Sequence, residues 1–200
     1  MPGVAILLAA GRSVRMQGVD KRWLAVEGAP MALRTARAVG AAPVSRRLAV
    51  VRPEDDGLAR QLTELGFACV VNAEPDRGRA SSLACAWAAL PQAVPVLIAL
   101  ADLPELTGTL VRKLWQQFCA LDERAILIPR YHEQWGHPRC LGAEHVAALR
   151  AQAGKCTVPD YLAQHPEAVR FWDVDDPAVV RDIDTPADYA ALCRRLAPDA

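Results

Sequence analysis

Apolar residues in this chain fall into two kinds of stretch, short unbroken runs and longer segments with helical spacing, and the two alternate. Val4 to Leu8 is an apolar run too short for a buried helix, with a glycine on each side, and it reads as a buried strand. Met31, Leu33, Ala36 and Val39 mark a short helix with Pro30 in its first turn. Leu48 to Val51 is a second strand. Leu58, Leu62 and Leu65 come next at helical spacing, and Gly66 stops that helix. Phe67 to Val71 is a third strand ending at Asn72, and a polar loop leads to a helix carrying Leu83, Trp87 and Leu90. The most apolar strand, Val94 to Ala101, ends at Asp102-Leu103-Pro104. Thr107 caps the next helix, where Leu110, Leu114 and Phe118 form one stripe, and Ala125 to Ile128 is a fifth strand.

Strand and helix alternating in this way predict an α/β fold, a Rossmann-like three-layer sandwich around a mostly parallel sheet. Near-continuous apolar strands agree, because parallel strands are buried on both faces. From Pro129 the rhythm changes. Residues 129–142 are aromatic and polar and predict a hairpin or long loop, 143–165 two short helices, and 168–174 another strand. Thr185-Pro186-Ala187-Asp188 opens a last helix with a cap, a first-turn proline and an acid three residues on. No repeat, linker or low-complexity tract interrupts residues 1–200, so a single domain is expected.

Composition narrows the partners. With 23 basic and 23 acidic residues the chain lacks the basic excess of a broad nucleic-acid surface. The N-terminus has no basic region and its apolar run breaks early, so neither a signal peptide nor a membrane span is expected. Six cysteines stand singly, without a C-x-x-C pair, which fits reduced core thiols in a cytoplasmic protein and gives no zinc pattern. His132, His145 and His165 have no partners at metal spacing and read as surface residues. The tryptophans read as core or rim, with Trp135 beside Gly136-His137 a candidate for stacking on a ligand.

In an open α/β sheet, ligands bind beyond the carboxyl ends of the strands. Four polar features lie at such ends: the Gly11 loop, Asn72, Asp102 and Asp184. The loop after the first strand brings small residues, then Ser13, then Arg12, Arg15 and Lys21, a set that lets backbone N–H groups approach a phosphate while cations neutralise it. It matches neither G-x-G-x-x-G nor G-x-x-x-x-G-K-[ST], which disfavours a dinucleotide fold or a P-loop. Asp102 ends an uncharged strand, and two readings stand for it: it caps the turn begun by Leu103-Pro104, or it ligates Mg²⁺ shared with a triphosphate. Asp182 and Asp184 bracket Ile183, so in an extended segment both point one way, either one to ligate metal and the other to brace the loop, or both as solvated acids near a helix N-terminus.

These tracts resemble the molybdenum-cofactor nucleotidyltransferases, the MobA-like NTP transferase family. Leu8-Ala9-Ala10-Gly11-Arg12-Ser13-x-Arg15-Met16 and Gly18-Val19-Asp20-Lys21 look like its signature loop. Asn72, Gly78 to Leu83, Asp102-Leu103-Pro104, Gly136-His137-Pro138 and Asp182 to Tyr189 come in its order. The resemblance covers residues 4 to about 192 and implies the nucleotide-diphospho-sugar transferase fold. Ala9-Ala10 before Gly11 and the Ser81-Ser82-Leu83 tract are more similar to its cytidylyltransferase branch, since the guanylyltransferase branch usually carries glycine in place of Ala10. That implies CTP as donor, a molybdopterin-type phosphate as acceptor, and pyrophosphate as product. The rivals are a guanylyl- or sugar/alditol-phosphate nucleotidyltransferase of the same fold, and a non-catalytic molybdopterin-binding chaperone.

Under the resemblance, Arg15 and Lys21 hold the β- and γ-phosphates, and Asp102 and Asp184 hold Mg²⁺; Arg15, Lys21 and Asp102 are the candidate catalytic residues. Leu8, Ala9, Ala10, Gly11, Arg12, Ser13, Asn72 and Ser82 complete the nucleotide site, and Gly136, His137 and Pro138 face the acceptor. The client would be a molybdoenzyme or its chaperone. Two departures stand out. Gln17 replaces a usual glycine, and the branch's Gly-Asp-x-Gly-Ala-Arg tract is replaced by Ala153-Gly154-Lys155-Cys156-Thr157.

Overall fold

The first apolar run forms β1 (Val4–Leu8), and all five of its residues are buried although alternate side chains point to opposite faces. Both faces of this strand are therefore covered. In the computed structural model, which describes residues 2–152 and 156–197, β1 is paired in parallel with β4 (Arg46–Val51) on one side and β6 (Val96–Leu100) on the other. The sheet continues outward from β4 to β5 (Ala68–Val71), again parallel. Outward from β6 its order is β9 (Arg139–Leu141), β7 (Ile126–Tyr131) and the edge strand β10 (Val169–Asp173). β9 lies antiparallel between β6 and β7, and a two-residue β8 (Gln134–Trp135) folds back on β7.

Among the described residues seven α-helices surround the strands: α1 (Met31–Gly40), α2 (Asp56–Glu64), α3 (Arg79–Ala88), α4 (Gly108–Cys119), α5 (Ala143–Ala151), α6 (Val158–Gln164) and α7 (Pro186–Leu196). α1 pairs with α4 and α3 with α5, while β1 touches both α1 and α3. The expected caps are in place. Thr107 Oγ1 accepts from the Leu110 N–H, Thr185 and Asp188 form a capping box, and Gly66 comes after α2 at a φ of +83°. No described helix is long and apolar enough to cross a membrane.

Where elements differ from the sequence reading, a backbone donor explains it. β6 starts at Val96 because Pro95 has no N–H to give; its carbonyl instead accepts from Val4 N–H at 3.0 Å. Phe67 is outside β5 because its N–H closes α2 onto Leu62 O at 3.0 Å. Pro30 precedes α1 rather than opening it. It ends a small hairpin of β2 (Ala25–Val26) and β3 (Ala29–Pro30), turned through Glu27 and Gly28 at positive φ. Of the hairpin or long loop expected over 129–142, the hairpin forms, with β7 turning back into antiparallel β8, and β9 is the strand the sequence reading lacked.

Burial corrects three side-chain expectations. His145 is buried, with its ring between Tyr161 Oη at 3.0 Å and Arg124 O at 2.6 Å. All six cysteines are free, but only Cys140 is fully buried and Cys193 is exposed. Trp135 packs on Phe171 at the sheet edge, with ring centroids 5.2 Å apart, and lines no part of the cleft at the strand ends.

Gly136 is fixed by space. A Cβ there would sit 2.6 Å from Val179 O and 2.8 Å from Val179 Cβ, while the neighbouring His137 N–H donates to Val179 O at 2.8 Å. Gly136→Ala should therefore lower unfolding free energy by about 1–3 kcal/mol, as overpacking does. A urea unfolding curve matching the parent would show that Val179 yields without cost.

Candidate functional site

Three strands end at the same edge of the sheet. Ala9 N–H donates to Val50 O at 2.9 Å, Ala101 N–H to Leu8 O at 3.1 Å, and Asn72 N–H to Val51 O at 2.8 Å. The Gly11 loop, Asn72 and Asp102 are thereby neighbours, although they are far apart in sequence. The loop itself is a 3₁₀ turn over Val14–Met16, entered through Ser13 at φ +53° and left through Gln17 at φ +53° and Gly18 at φ +87°. A left-handed non-glycine residue costs on the order of 1 kcal/mol, so Ser13 and Gln17 concentrate strain beside the cleft. Met16 anchors the turn from below: it is buried, while Val14 is 86% exposed.

Buried ion pairs hold this strained loop. A second 3₁₀ turn, Lys21–Trp23, is capped by Asp20, whose carboxylate accepts from the Arg22 N–H. The Arg22 guanidinium lies inside the protein, pairs with both oxygens of buried Asp55, and reaches Asp20 Oδ2 and Ala9 O at 2.6 Å each. Arg52 joins Asp20 Oδ2 at 2.6 Å, and its backbone N–H donates to Asp55 Oδ2 at 2.9 Å. Lys21, between the two inward-facing residues of this network, is turned the other way.

Its ammonium Nζ stands 2.6 Å from Asp102 Oδ2 and 2.7 Å from Asp184 Oδ1, and Arg15 pairs with the other oxygen of Asp184. Asp184 gets there because Ile183 is pinned. The Ile183 N–H donates to Asp102 O at 3.0 Å, and its side chain is buried with Val26, Met31 and Leu192 in a small second core. Asp188 secures the next residue, accepting from the Asp184 N–H at 3.1 Å and the Thr185 N–H at 2.7 Å. Burial pulls the Lys21 ammonium down, but Asp102 and Asp184 outweigh it and its pKa stands above the ordinary value. Burial would raise Asp184, yet Lys21 and Arg15 hold it below the usual carboxylate range. Asp182 is pushed up by burial and then by the charges of Asp102 and Asp184.

The cleft has two lobes. The larger, about 430 Å³, is lined by Leu8, Ala10 to Arg15, Lys21, Ser82, Asp102 and Asp184, which unites most of the expected nucleotide and metal residues with Asp182. Ala9 and Asn72 are buried and do not line it. Asn72 instead organises the loop beyond β5: its amide donates to Ser81 Oγ at 2.9 Å and Ser82 Oγ at 3.1 Å, and its oxygen accepts from the Glu74 N–H. Arg12 spans the mouth, bound to Asp76 at 2.9 Å and Glu54 at 2.6 Å.

The second lobe, about 320 Å³, shares Leu8, Arg79 and Leu100 with the first and adds His137, Arg139 and apolar walls from Leu83, Ile98 and Val158. Of the expected acceptor triplet only His137 reaches it; Gly136 backs onto Val179, and Pro138, joined to His137 by a cis peptide, is buried. Burial first, then Arg139 and Arg79, press the His137 pKa down to about 3, so the ring is neutral. Ala153, Gly154 and Lys155 of the divergent tract lie outside the described residues, while Thr157 lines the second lobe.

One observation tests whether these residues suit a divalent cation. Asp102 Oδ1 is buried without a hydrogen-bond partner among the described residues, an acceptor that a hard cation would satisfy. No group of three His, Cys, Asp or Glu side chains forms a ready-made metal cluster among those residues, so further ligands would have to be phosphate and water oxygens. Arg22, Arg52, Asp55 and Arg139 are absent from the sequence reading, and Asp20 and Arg79 stand in it only as members of the resembling tracts, with no role given. The one available signal was Arg22 directly beside Lys21 on a short 3₁₀ turn.

The MobA-like NTP transferase domain matches residues 5–169 of the chain. Over 199 residues the chain is 30% identical to the molybdenum cofactor guanylyltransferase of Cereibacter sphaeroides, spanning 98% of this chain and 97% of that protein. A crystal structure of Rv0371c from Mycobacterium tuberculosis is similar with a TM-score of 0.82 at 25% identity, covering 96% of this chain and 97% of that one. A manganese complex of the same protein gives 0.78 at 23% identity, with 96% and 98% covered. The sheet is thus the middle of a Rossmann-like three-layer sandwich of the nucleotide-diphospho-sugar transferase type.

Proposed function

Because the chain belongs to the MobA-like NTP transferase family and is a nucleotidyltransferase, we propose that it transfers CMP from CTP to the phosphate of molybdopterin, releasing pyrophosphate. The observation that carries this reading is the Lys21–Asp102–Asp184 cluster under the Gly11 loop. A phosphate oxygen of the acceptor attacks the α-phosphorus of CTP. The new P–O bond forms as the α–β bridging bond breaks, and pyrophosphate leaves with the electron pair. Little covalent work falls to the protein; positioning and charge neutralisation are its task.

Arg15 and Lys21 would leave Asp184 and Asp102 for the β- and γ-phosphates, and backbone N–H groups from Ala10 to Ser13 would line the phosphate path. Ser82 would border the nucleoside, and Asn72 would act through Ser82 rather than by contact. A divalent ion, magnesium or manganese, held by Asp102 and Asp184 would neutralise phosphate charge and act as a Lewis acid there. A cation about 4 Å from a phosphate is worth roughly 4 kcal/mol at an effective dielectric near 20. The six free thiols fit a reducing cytoplasm, with a molybdoenzyme or its chaperone as client.

A second reading has its own support: the relative from Cereibacter sphaeroides is named a guanylyltransferase, which favours GTP. Melting curves with each nucleotide triphosphate and Mg²⁺ decide between them. CTP should raise Tm most, and a clear GTP preference would overturn the donor assignment. Ala10 lines the nucleotide lobe, so Ala10→Gly should shift the CTP-to-GTP preference toward GTP. Pyrophosphate release with molybdopterin separates an enzyme from a carrier; tight binding without turnover would favour a chaperone.

A further inference from the structure

We propose that Arg79 and Arg139 form a two-guanidinium clamp in the second lobe that takes the attacking phosphate monoester of the acceptor, apart from the cations that handle the triphosphate. The clamp rests on the transferase reading and is the part of the site that holds the nucleophile.

Pairing separates the two sets of cations. In the larger lobe Arg12, Arg15 and Lys21 are each bound to carboxylates. Among the described residues Arg139 makes a single side-chain hydrogen bond, from Nε to Gly136 O at 3.2 Å, which fixes its stem and leaves the outer nitrogens without a partner there. Among the described residues no carboxylate pairs with Arg139 or Arg79; the charged group that faces Arg139 is Arg79, and those that face His137 are these same two arginines. Burial and then Arg79 bring Arg139 down to about 10, against the usual tendency of arginine to keep its proton. Like charges held together beside apolar walls are costly unless an anion joins them.

The phosphate monoester fits that demand in charge and shape. Guanidinium forks pair with phosphate oxygens two at a time, and the low dielectric of walls such as Leu83 and Ile98 strengthens the pairing. The same walls offer contact to a ring system carried on the phosphate. Arg79 lines both lobes, so an anion on the clamp lies at their junction, where the α-phosphorus of a donor would be approached. A phosphate dianion attacks without first losing a proton, which suits a lobe whose histidine is neutral.

The test titrates inorganic phosphate into the protein by calorimetry, alone and with saturating CTP or GTP. Phosphate should bind in the presence of nucleotide, and Arg139→Met and Arg79→Met should each weaken it at least tenfold, while nucleotide affinity in Arg139→Met stays within about twofold. Arg79 is exposed, so its variant keeps the test readable if Arg139→Met does not fold. With molybdopterin, Arg139→Met, whose side chain does not line the nucleotide lobe, should raise the acceptor KM and leave the nucleotide KM unchanged. Phosphate displaced by nucleotide, or nucleotide affinity falling in parallel with phosphate affinity, would overturn the clamp. The phosphate arm needs no turnover, so a wrong donor or an inactive protein would sink the transferase reading without deciding this one.

Discussion

Asp102→Asn is expected to cut kcat by roughly 10²–10³ and leave the melting temperature within a few degrees of the parent, an electrostatic loss of the size seen when one transition-state contact is removed. Asparagine keeps the shape of the side chain but loses the negative charge that pairs with Lys21 and the acceptor oxygen that stands unpartnered. The fold should survive because Lys21 retains Asp184, and the backbone bond from Ile183 to Asp102 O does not involve the side chain. If Asp102 ligates the metal, the Mg²⁺ concentration for half-maximal rate must rise as well, which a purely structural role would not cause. Lys21→Ala should lose rate to a similar extent by another route, since removing Nζ leaves Asp102, Asp184 and the already raised Asp182 with less opposing charge. Full activity in a folded Asp102→Asn protein would dismiss the metal assignment.

The position of the candidate site was legible in sequence because Asn72 and Asp102 follow strands and Asp184 precedes a helix. Val4 to Leu8 and Val94 to Ala101 read as buried strands, and residues just past the ends of such strands lie where an open α/β sheet binds ligands. The bracketing of Ile183 by Asp182 and Asp184 carried similar information, and the structure supplies its cause: the isoleucine is the anchor in the second core. Gln17 stood out against the glycine expected there, and it does adopt positive φ.

The hidden part depends on residues that meet only through tertiary packing. β9 is three residues long and antiparallel in an otherwise largely parallel sheet, so its Arg139-Cys140-Leu141 gave no periodicity to read. Without it, Arg139 could not be placed in the cleft or Gly136 against Val179. Asn72 was readable as a strand-end polar group, but only the fold shows that its amide is spent on Ser81 and Ser82. The pairing of Arg12, Arg15 and Lys21 with carboxylates was equally out of reach, since the partners of Arg12 and Arg15 lie 42 to 169 residues away. That pairing implies that nucleotide enters by exchanging partners, phosphate for carboxylate and cation for ammonium, rather than by filling an uncompensated positive site.

The largest stability effect is expected at Arg22, whose role is to hold the loop rather than to touch substrate. Its side chain is 3% exposed and Asp55, its partner, 6%. Replacing Arg22 with methionine keeps much of the packing volume but strands the Asp55 carboxylate inside the protein and frees Ala9 O. Breaking one side of a buried pair costs about 3–5 kcal/mol, which for a chain of this size lowers Tm by roughly 6–20 °C. Arg52 softens the loss, because its backbone N–H still donates to Asp55 and its guanidinium still holds Asp20. The companion variant Arg22→Met/Asp55→Leu removes both charges and should recover part of the deficit, since a buried pair replaced by apolar groups is often neutral. Nucleotide affinity should take a different course in that pair, staying weak in both, because neither restores the bond that fixes Ala9 below the Gly11 turn. Urea unfolding and calorimetric titration of the two proteins measure these quantities separately. A loss below about 1 kcal/mol in Arg22→Met would mean that the ion network is not what holds the strained loop in place.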